Sequence, residues 1–127
     1  HLPETVRTLE EIYRISKPCA TIFIAVPYWN SWEAITDPTH LKQFNEFTFE
    51  FFDPEKWRCK ERPYYTNSRF KILKQGYYIA LFKPYLHIPV IGKERVVFNR
   101  YLKNILAFTA SYFNNVIIGL DVYLERK

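Results

Sequence analysis

Glycine is scarce in this chain, which has only three among its 127 residues, at positions 76, 92 and 119. Loops that hold nucleotide phosphates usually contain several neighbouring glycines, because their backbone N–H groups must approach the ligand closely. Three scattered glycines exclude a loop of that kind from this stretch of chain.

Cysteines and long apolar runs are also few. Cys19 and Cys59 lie far apart and form no CxxC pair, which favours free thiols in a reducing compartment over a disulfide. No apolar run reaches the length of a membrane span and no signal peptide opens the chain, so we expect a cytoplasmic protein. The sequence contains no methionine and begins at His1, so we expect it to start inside a longer polypeptide.

Apolar and aromatic residues are plentiful instead. They make up 48% and 19% of the chain, with 11 Phe and 10 Tyr, a composition typical of a packed globular chain. The length suits one domain over residues 1–127 with a core of its own.

The most continuous apolar stretch is Thr21–Val26, which follows a proline turn and precedes a polar loop. A strand that is apolar at nearly every position is typical of a mostly parallel sheet with helices on both faces. We therefore predict an α/β fold with this strand at its centre and with Ile22, Phe23 and Ile24 in the interior.

Periodicity, capping residues and strand-forming residues predict the other elements. Residues 4–16 form an amphipathic helix, residues 46–52 a short helix capped by Asn45, and residues 70–80 a strand. A second, longer helix is predicted from apolar residues at spacings of 4, 4, 3 and 4, and a final strand from strict alternation. The helix residues are Val97, Tyr101, Ile105, Phe108 and Tyr112, and one face of the strand is Val116, Ile118, Leu120, Val122 and Leu124.

This order of elements, together with three local sequences, resembles the C-terminal half of a class I S-adenosylmethionine-dependent methyltransferase. Residues 1–5, His-Leu-Pro-Glu-Thr, resemble the end of the segment after the family's fourth strand. Residues 11–18 resemble the helix and turn before the fifth strand, and residues 37–40, Asp-Pro-Thr-His, resemble the loop after it. The similarity covers the first half of the sequence best, and residues 80–112 resemble an insertion that contains a helix.

The resemblance implies a partial Rossmann-like sheet of the family's fifth to seventh strands with flanking helices, without the first four strands. The absent part carries the glycine-rich loop and the acidic residue that hold S-adenosylmethionine, so this chain alone is not expected to bind the cofactor. The position of the family that matches His1 lies near the cofactor, so the resemblance implies the same place for His1 in an intact enzyme. The family's Lys-Pro-Gly-Gly turn is here Lys-Pro-Cys-Ala at residues 17–20, which requires either a negative φ or strain.

The same resemblance has a consequence for association. In the family the fifth strand lies between the fourth and the antiparallel seventh, so Thr21–Val26 is expected to have one edge without a neighbour. An apolar edge with unpaired N–H and C=O groups is an association site. We therefore predict a homodimer or larger assembly through this edge.

The loop after Thr21–Val26 carries the candidate site. The resemblance implies that this loop lies over the reactive methyl group, with His40 as the catalytic base and with Tyr28, Asn30 and Asp37 beside it in contact with the substrate. The alternative is that Asp37 and His40 fix the loop by hydrogen bonding. No recognised ligand spacing predicts a metal site.

Two other segments leave further functions open. In an extended conformation, residues 56–62 would place four positive charges on one face near Trp57, Tyr64 and Tyr65, as a nucleic-acid site or as a solvated edge of this +5 chain. Residues 82–91 contain apolar side chains with basic residues nearby, and this patch could contact a lipid-like methyl acceptor or a membrane surface. The alternative is that it covers the core of the domain or forms a contact between subunits. These apolar residues are Phe82, Tyr85, Ile88, Val90 and Ile91.

Three functions therefore remain open from the sequence. The first is a methyltransferase-like protein that supplies the substrate side without the cofactor loop. The second is an inactive remnant that acts as a homodimeric structural or binding module, and the third is nucleic-acid binding through residues 56–71. The methyl acceptor itself depends on the shape of a pocket, which residue spacing does not reveal.

Overall fold

The computed structural model describes residues 4–80 and 95–127. Within these ranges the chain forms α-helices, short 3-10 helices and one four-stranded sheet. The predicted positions of His1 and of the apolar residues at 82–91 lie outside the described residues. The elements are α1 (Thr5–Ile15), β1 (Thr21–Pro27), α2 (Trp32–Thr36), α3 (Trp57–Glu61), β2 (Phe70–Ile79), β3 (Arg95–Val97), α4 (Arg100–Ala110) and β4 (Gly119–Arg126), with 3-10 helices at Thr48–Phe52 and Pro63–Tyr65.

The sheet has the strand order β1-β4-β2-β3, and each neighbouring pair is antiparallel. The α/β class is therefore confirmed, whereas the prediction of a mostly parallel sheet is wrong. The reason is the position of β4, which runs opposite to both β1 and β2 and separates them. The two strands point the same way without being neighbours.

Strand β1 lies at an end of this sheet and is covered on one face. Ile22 and Ile24 pack against the core, but the side chain of Phe23 is 53% exposed. The prediction that β1 is central and covered on both faces is therefore wrong. The Phe23 ring instead packs against Tyr123 on β4, with centroids 4.9 Å apart, and such cross-strand aromatic pairs can stabilise a face that no helix covers.

The exposed face that contains Phe23 continues across the sheet, and we call it the open face. The ammonium of Lys74 lies 4.3 Å from the ring centroid of Tyr123 and 4.9 Å from that of Phe98. A Cβ on Gly76 would come within 2.6 Å of the Phe98 ring. Gly76 thus leaves the space in which Phe98 covers the strand.

The opposite face of the sheet forms the core. Leu120, Val122 and Leu124 of β4 are fully buried on this face, which confirms the alternation that predicts the last strand. Leu9 of α1 and Phe49 of the first 3-10 helix pack into the same cluster. Each buried aliphatic or aromatic side chain of this kind contributes about 1.5 to 3 kcal/mol by leaving water.

Strand β2 contains a β-bulge, since its register against β4 shifts between Ile72 and Lys74. The extra residue is Leu73. Beside the bulge, the buried carboxylate of Asp53 accepts hydrogen bonds from the N–H of Ile72 and the N–H of Glu55, each at 2.9 Å. These two bonds fix the irregular part of the strand to the turn before α3.

The turn between α1 and β1 carries strain. The N–H of Ala20 donates to the carbonyl of Lys17 at 3.0 Å, and Cys19 has a φ of 62°. Of the two expectations for a turn without glycine, a negative φ or strain, the structure has the second. The left-handed conformation is one that only glycine adopts without cost.

Cys19→Gly is expected to raise the free energy of unfolding by roughly 0.5 to 1 kcal/mol, because the left-handed penalty outweighs the extra flexibility that glycine gives the unfolded chain. Urea denaturation of the two proteins measures the difference. Cys19→Ala is the matched control, since it removes the thiol but keeps the Cβ. An equal gain in both variants would show that the thiol, and not the backbone, is responsible.

Three other predicted elements differ in detail. Residues 57–61 form helix α3 and not an extended segment, so the alternate cations of residues 56–62 point in different directions around a helix. The short helix is a 3-10 helix that begins at Thr48, although Asn45 still accepts the N–H of Phe47 at 3.1 Å. The final strand begins at Gly119 and not at Val116.

Helix α4 begins later than the spacing predicts. Val97 is a buried residue of β3, and the helix starts after Asn99, whose side-chain oxygen accepts the N–H groups of Tyr101 and Leu102. This is a regular N-cap. Within the described residues, the predicted insertion at residues 80–112 therefore contains strand β3 as well as helix α4.

Candidate functional site

A groove lies between helix α1, the outer edge of β1 and the loop that follows α2. We call it the edge groove, and its volume is about 390 Å³. Apolar side chains form most of its wall, and the polar side chains include His40 and Lys42. The main apolar residues are Leu9 and Ile12 of α1, Ile24 and Val26 of β1, and Leu41 and Phe44 of the loop.

The groove exists because β1 has one neighbour within the described part of the chain, strand β4. A strand at the end of a sheet directs every second pair of N–H and C=O groups away from its partner. Helix α1 packs on the core face of the sheet beside this edge and closes the groove from one side.

The loop after β1 returns to the strand that it leaves. Tyr28 and Phe44 form a parallel β-bridge, in which the N–H of Trp29 donates to the carbonyl of Phe44 at 2.9 Å. Ser31 caps helix α2 by accepting the N–H of Ala34 at 3.3 Å. These contacts hold residues 40–44 against the carboxyl end of β1, beside the edge groove.

Asp37 and His40 shape the part of the loop that borders the groove. The Asp37 carboxylate accepts the N–H and the hydroxyl of Thr39 at 2.8 and 2.7 Å, and these bonds lower the pKa of Asp37. His40 Nδ1 lies 3.1 Å from the carbonyl oxygen of Glu33. Because a carbonyl only accepts, Nδ1 is the donor in this contact.

Tyr28 and Asn30 point elsewhere. The Tyr28 side chain is 3% exposed, and its hydroxyl donates to the carboxylate of Glu46 at 2.8 Å. The side-chain amide of Asn30 donates to the carbonyl of Ala110 at 2.7 Å and thereby holds the end of α4. Of the predicted substrate residues, His40 lines the edge groove, while Tyr28, Asn30 and Asp37 are outside its wall.

Several residues of the groove wall carry little functional signal in the sequence. Leu9 and Ile12 were visible as the apolar side of a helix, but nothing in their spacing placed them beside a cavity. Leu41 and Phe44 gave a weak signal, as large apolar residues in an otherwise polar loop. Their role depends on the bridge between Tyr28 and Phe44, which is a long-range contact.

A second polar cluster lies under α4, and we call it the Glu46 cluster. The rings of Tyr28 and Tyr77 are 5.9 Å apart, and burial, followed by the carboxylate of Glu46, raises the pKa of both phenols. The ammonium of Lys103 donates to the carbonyl of Gln75 at 2.7 Å. Burial lowers the pKa of Lys103, and Glu46 partly offsets this effect.

The basic residues around α3 are partly engaged with the protein itself. Arg58 forms an ion pair with Glu50 at 2.8 Å and lies 4.2 Å from the ring centroid of Phe47. Arg62 donates to the hydroxyl of Tyr65 at 2.6 Å. Nucleic-acid binding through residues 56–71 stays a prediction. Its basic side chains would be presented by helix α3 and not by an extended segment.

The edge groove does not fit S-adenosylmethionine in the manner of the family. Among the described residues that line it there is no glycine and no carboxylate, so ribose hydroxyls would find no acidic acceptor and the glycine-rich backbone loop of the family has no counterpart in the wall. The wall instead suits an apolar molecule beside a single imidazole. No group of three or more His, Cys, Asp or Glu side chains that could hold a metal occurs within residues 4–80 and 95–127.

Comparison with known proteins adds no identification. No protein-family model matches the chain, and no curated protein and no solved structure matches it significantly. In the part of the chain that the structure describes, none of the helices has the length and apolar character needed to cross a membrane.

Proposed function

We propose that this chain is the substrate-side part of a methyltransferase-like protein and that the edge groove binds the apolar portion of the methyl acceptor. The observation that carries the proposal is the place of His40, in the wall of an apolar groove at the carboxyl end of β1. In the open, mostly parallel sheets of the family that the sequence resembles, ligands usually bind outside the carboxyl ends of strands.

The sheet supports the same proposal. The resemblance places the family's antiparallel seventh strand beside the fifth, and β4 is antiparallel to β1 along its whole length. It also implies an unpaired edge on the other side of β1, where the edge groove lies. Both features are compatible with a partial Rossmann-like sheet.

The chemistry that these residues can perform is limited and specific. Apolar walls exclude water from an acceptor and hold its nucleophile in one orientation, which lowers the entropic part of the barrier. The imidazole of His40 can then accept the proton that the nucleophile loses on methylation. In an intact enzyme S-adenosylmethionine supplies the methyl group, and in this proposal it is held outside the present chain.

Isothermal calorimetry with S-adenosylmethionine should give no binding heat for this chain alone, since the described groove offers the cofactor no carboxylate. The chain expressed together with the sequence encoded immediately upstream should bind it and transfer label from the radioactive methyl group. Micromolar binding of S-adenosylmethionine by the chain alone would contradict the proposal that the cofactor is held outside this chain. A combined protein that binds the cofactor but methylates nothing would instead favour an inactive remnant.

A homodimeric binding module is the second candidate function. The unpaired edge of β1 favours it, because this edge is apolar and borders a groove that an added strand could fill. In this candidate a second copy takes the place of the methyl acceptor. The oligomeric state in light scattering distinguishes the two.

A further inference from the structure

Large apolar side chains are concentrated on the outer side of helix α4 and in the turn that follows its last residue, Ala110. We call four of them, one helical turn apart, the α4 stripe. Leu102 and Phe113 flank this stripe and are also exposed. The stripe consists of Tyr101, Ile105, Phe108 and Tyr112, whose side chains are 80%, 62%, 68% and 74% exposed.

The stripe cannot be hidden by rotating the helix, because the other side of α4 is fixed to the protein. Leu106, Ala107 and Ala110 pack against the core, and Lys103 reaches the carbonyl of Gln75. At the C-terminal end Asn30 holds the carbonyl of Ala110. The small residues allow α4 to lie close to the sheet and leave the aromatic residues on the surface.

The stretch of sequence that contains the stripe carries cations only, although Glu94 directly precedes it. The sequence from Arg95 to Leu120 contains no Asp or Glu. Arg95 and Arg100 are exposed, and neither forms an ion pair with a carboxylate in the described part of the chain. The stripe is therefore an apolar band with cations at one end and with tyrosine at both ends.

We propose that the α4 stripe docks on the surface of a bilayer that contains anionic phospholipids, with the helix lying in the plane of the headgroups. Ile105 and Phe108 would enter the boundary between headgroups and acyl chains, and the tyrosine rings would place their hydroxyls at headgroup level. Arg95 and Arg100 would meet lipid phosphates. An interfacial helix of this kind need not be long enough to cross the membrane.

Charge also favours a bilayer over a second copy of the chain as the partner of the stripe. Two stripes packed on one another would bring together two copies of a stretch that has no Asp or Glu from residue 95 to residue 120, so that Arg100 at the start of each helix would meet no carboxylate of the other stretch. An anionic headgroup layer provides a partner for each arginine. The inference does not depend on the methyltransferase proposal, since the α4 stripe and the edge groove involve different residues.

Vesicle co-sedimentation tests the proposal with the full chain. The chain should bind vesicles made of equal parts phosphatidylcholine and phosphatidylglycerol, and bind vesicles of phosphatidylcholine alone more weakly by roughly tenfold or more. Ile105→Ser with Phe108→Ser should lower the partition coefficient by about tenfold or more, since two apolar anchors leave the interface. Arg100→Gln should reduce binding about fivefold and weaken its salt dependence.

A double variant elsewhere on the surface is the matched control. Ile35 and Tyr64 are as exposed as the stripe residues, so Ile35→Ser with Tyr64→Ser removes similar apolar area and should leave vesicle binding unchanged. Circular dichroism of all variants shows whether they are folded. Equal loss in both double variants, or equal binding to neutral and anionic vesicles, would overturn the proposal.

Self-association gives the competing outcome. Sedimentation velocity should show no change in oligomeric state between the original chain and the Ile105→Ser, Phe108→Ser variant. If the variant dissociates an oligomer while vesicle binding is absent, the stripe is a contact between copies and the bilayer proposal is wrong.

Discussion

Replacing His40 by glutamine is expected to lower methyl transfer about a hundredfold in the chain expressed with its upstream partner sequence, because a positioned general base typically contributes 10²- to 10⁴-fold. Glutamine keeps an amide that can donate to the carbonyl of Glu33, the contact that His40 Nδ1 makes. The loop should therefore keep its shape while the proton acceptor is lost. The measurement is the rate of label transfer at saturating cofactor.

The pH dependence of the rate distinguishes a base from a residue that only supports the loop. With His40 present, the rate should increase with pH, because only a neutral imidazole can accept the proton of the nucleophile, and in His40→Gln this dependence should disappear. Asp37→Asn is the matched control, since its oxygen can still accept the N–H of Thr39, and it should retain most of the rate. A similar loss in both variants would assign the two residues to loop structure alone.

Above pH 10 the protein is expected to lose stability steeply because of Tyr28 and Tyr77. The pKa of each phenol is raised in the folded state by burial and by Glu46, whereas in the unfolded chain it is about 10. The folded protein therefore holds more protons above that pH, and deprotonation favours unfolding. Below pH 10 the titration of these two phenols leaves the free energy of unfolding unchanged. Between the unfolded and the folded pKa values, each tyrosine lowers the free energy of unfolding by about 1.4 kcal/mol per pH unit.

Urea denaturation at a series of alkaline pH values measures this slope. Tyr28→Phe with Tyr77→Phe should remove a slope of about 2.7 kcal/mol per pH unit, and near pH 7 it should cost about 1 to 3 kcal/mol through lost hydrogen bonding to Glu46. Tyr64→Phe with Tyr112→Phe, at two exposed positions, is the control. If the two double variants show the same alkaline slope, the Glu46 cluster does not determine it.

The elements with strict periodicity were predictable from sequence. Helix α1 and strand β4 follow their patterns within a few residues, because each has one continuous apolar face that the core covers. Strand β2 also lies within its predicted range, although a bulge interrupts its alternation. The continuous run at β1 was misleading in a specific way. It indicates a strand correctly, but the exposed Phe23 shows that an aromatic residue can be stabilised by a cross-strand partner and not by a second layer.

Helix α4 shows why periodicity does not reveal which side is buried. Two apolar stripes compete on it, the aromatic one from Tyr101 to Tyr112 and a smaller one of Leu106, Ala107 and Ala110. The larger stripe dominates the pattern in the sequence, yet the smaller one packs on the sheet. Close approach of helix and sheet favours small residues, and this depends on the surface that the helix meets.

The site was predictable in part. A polar loop after β1 pointed to His40, and the structure places His40 in the wall of a groove. The orientation of Tyr28 was not predictable, because it depends on Glu46, which is distant in the sequence and adjacent in space. Helix α3 was missed since its cations alternate with other residues, a pattern that also suits a strand.

The β-bulge at Leu73 changes the phase of strand β2. Before the bulge, the even-numbered residues Phe70 and Ile72 face the core. After it, the odd-numbered residues Gln75 and Tyr77 lie on that same face, opposite Val122 and Leu120 of β4. Removal of one residue at position 73 would restore a regular ladder without turning any side chain over. Loss of a residue elsewhere in β2 would reverse the faces of part of the strand, so position 73 is where this strand can tolerate a change in length.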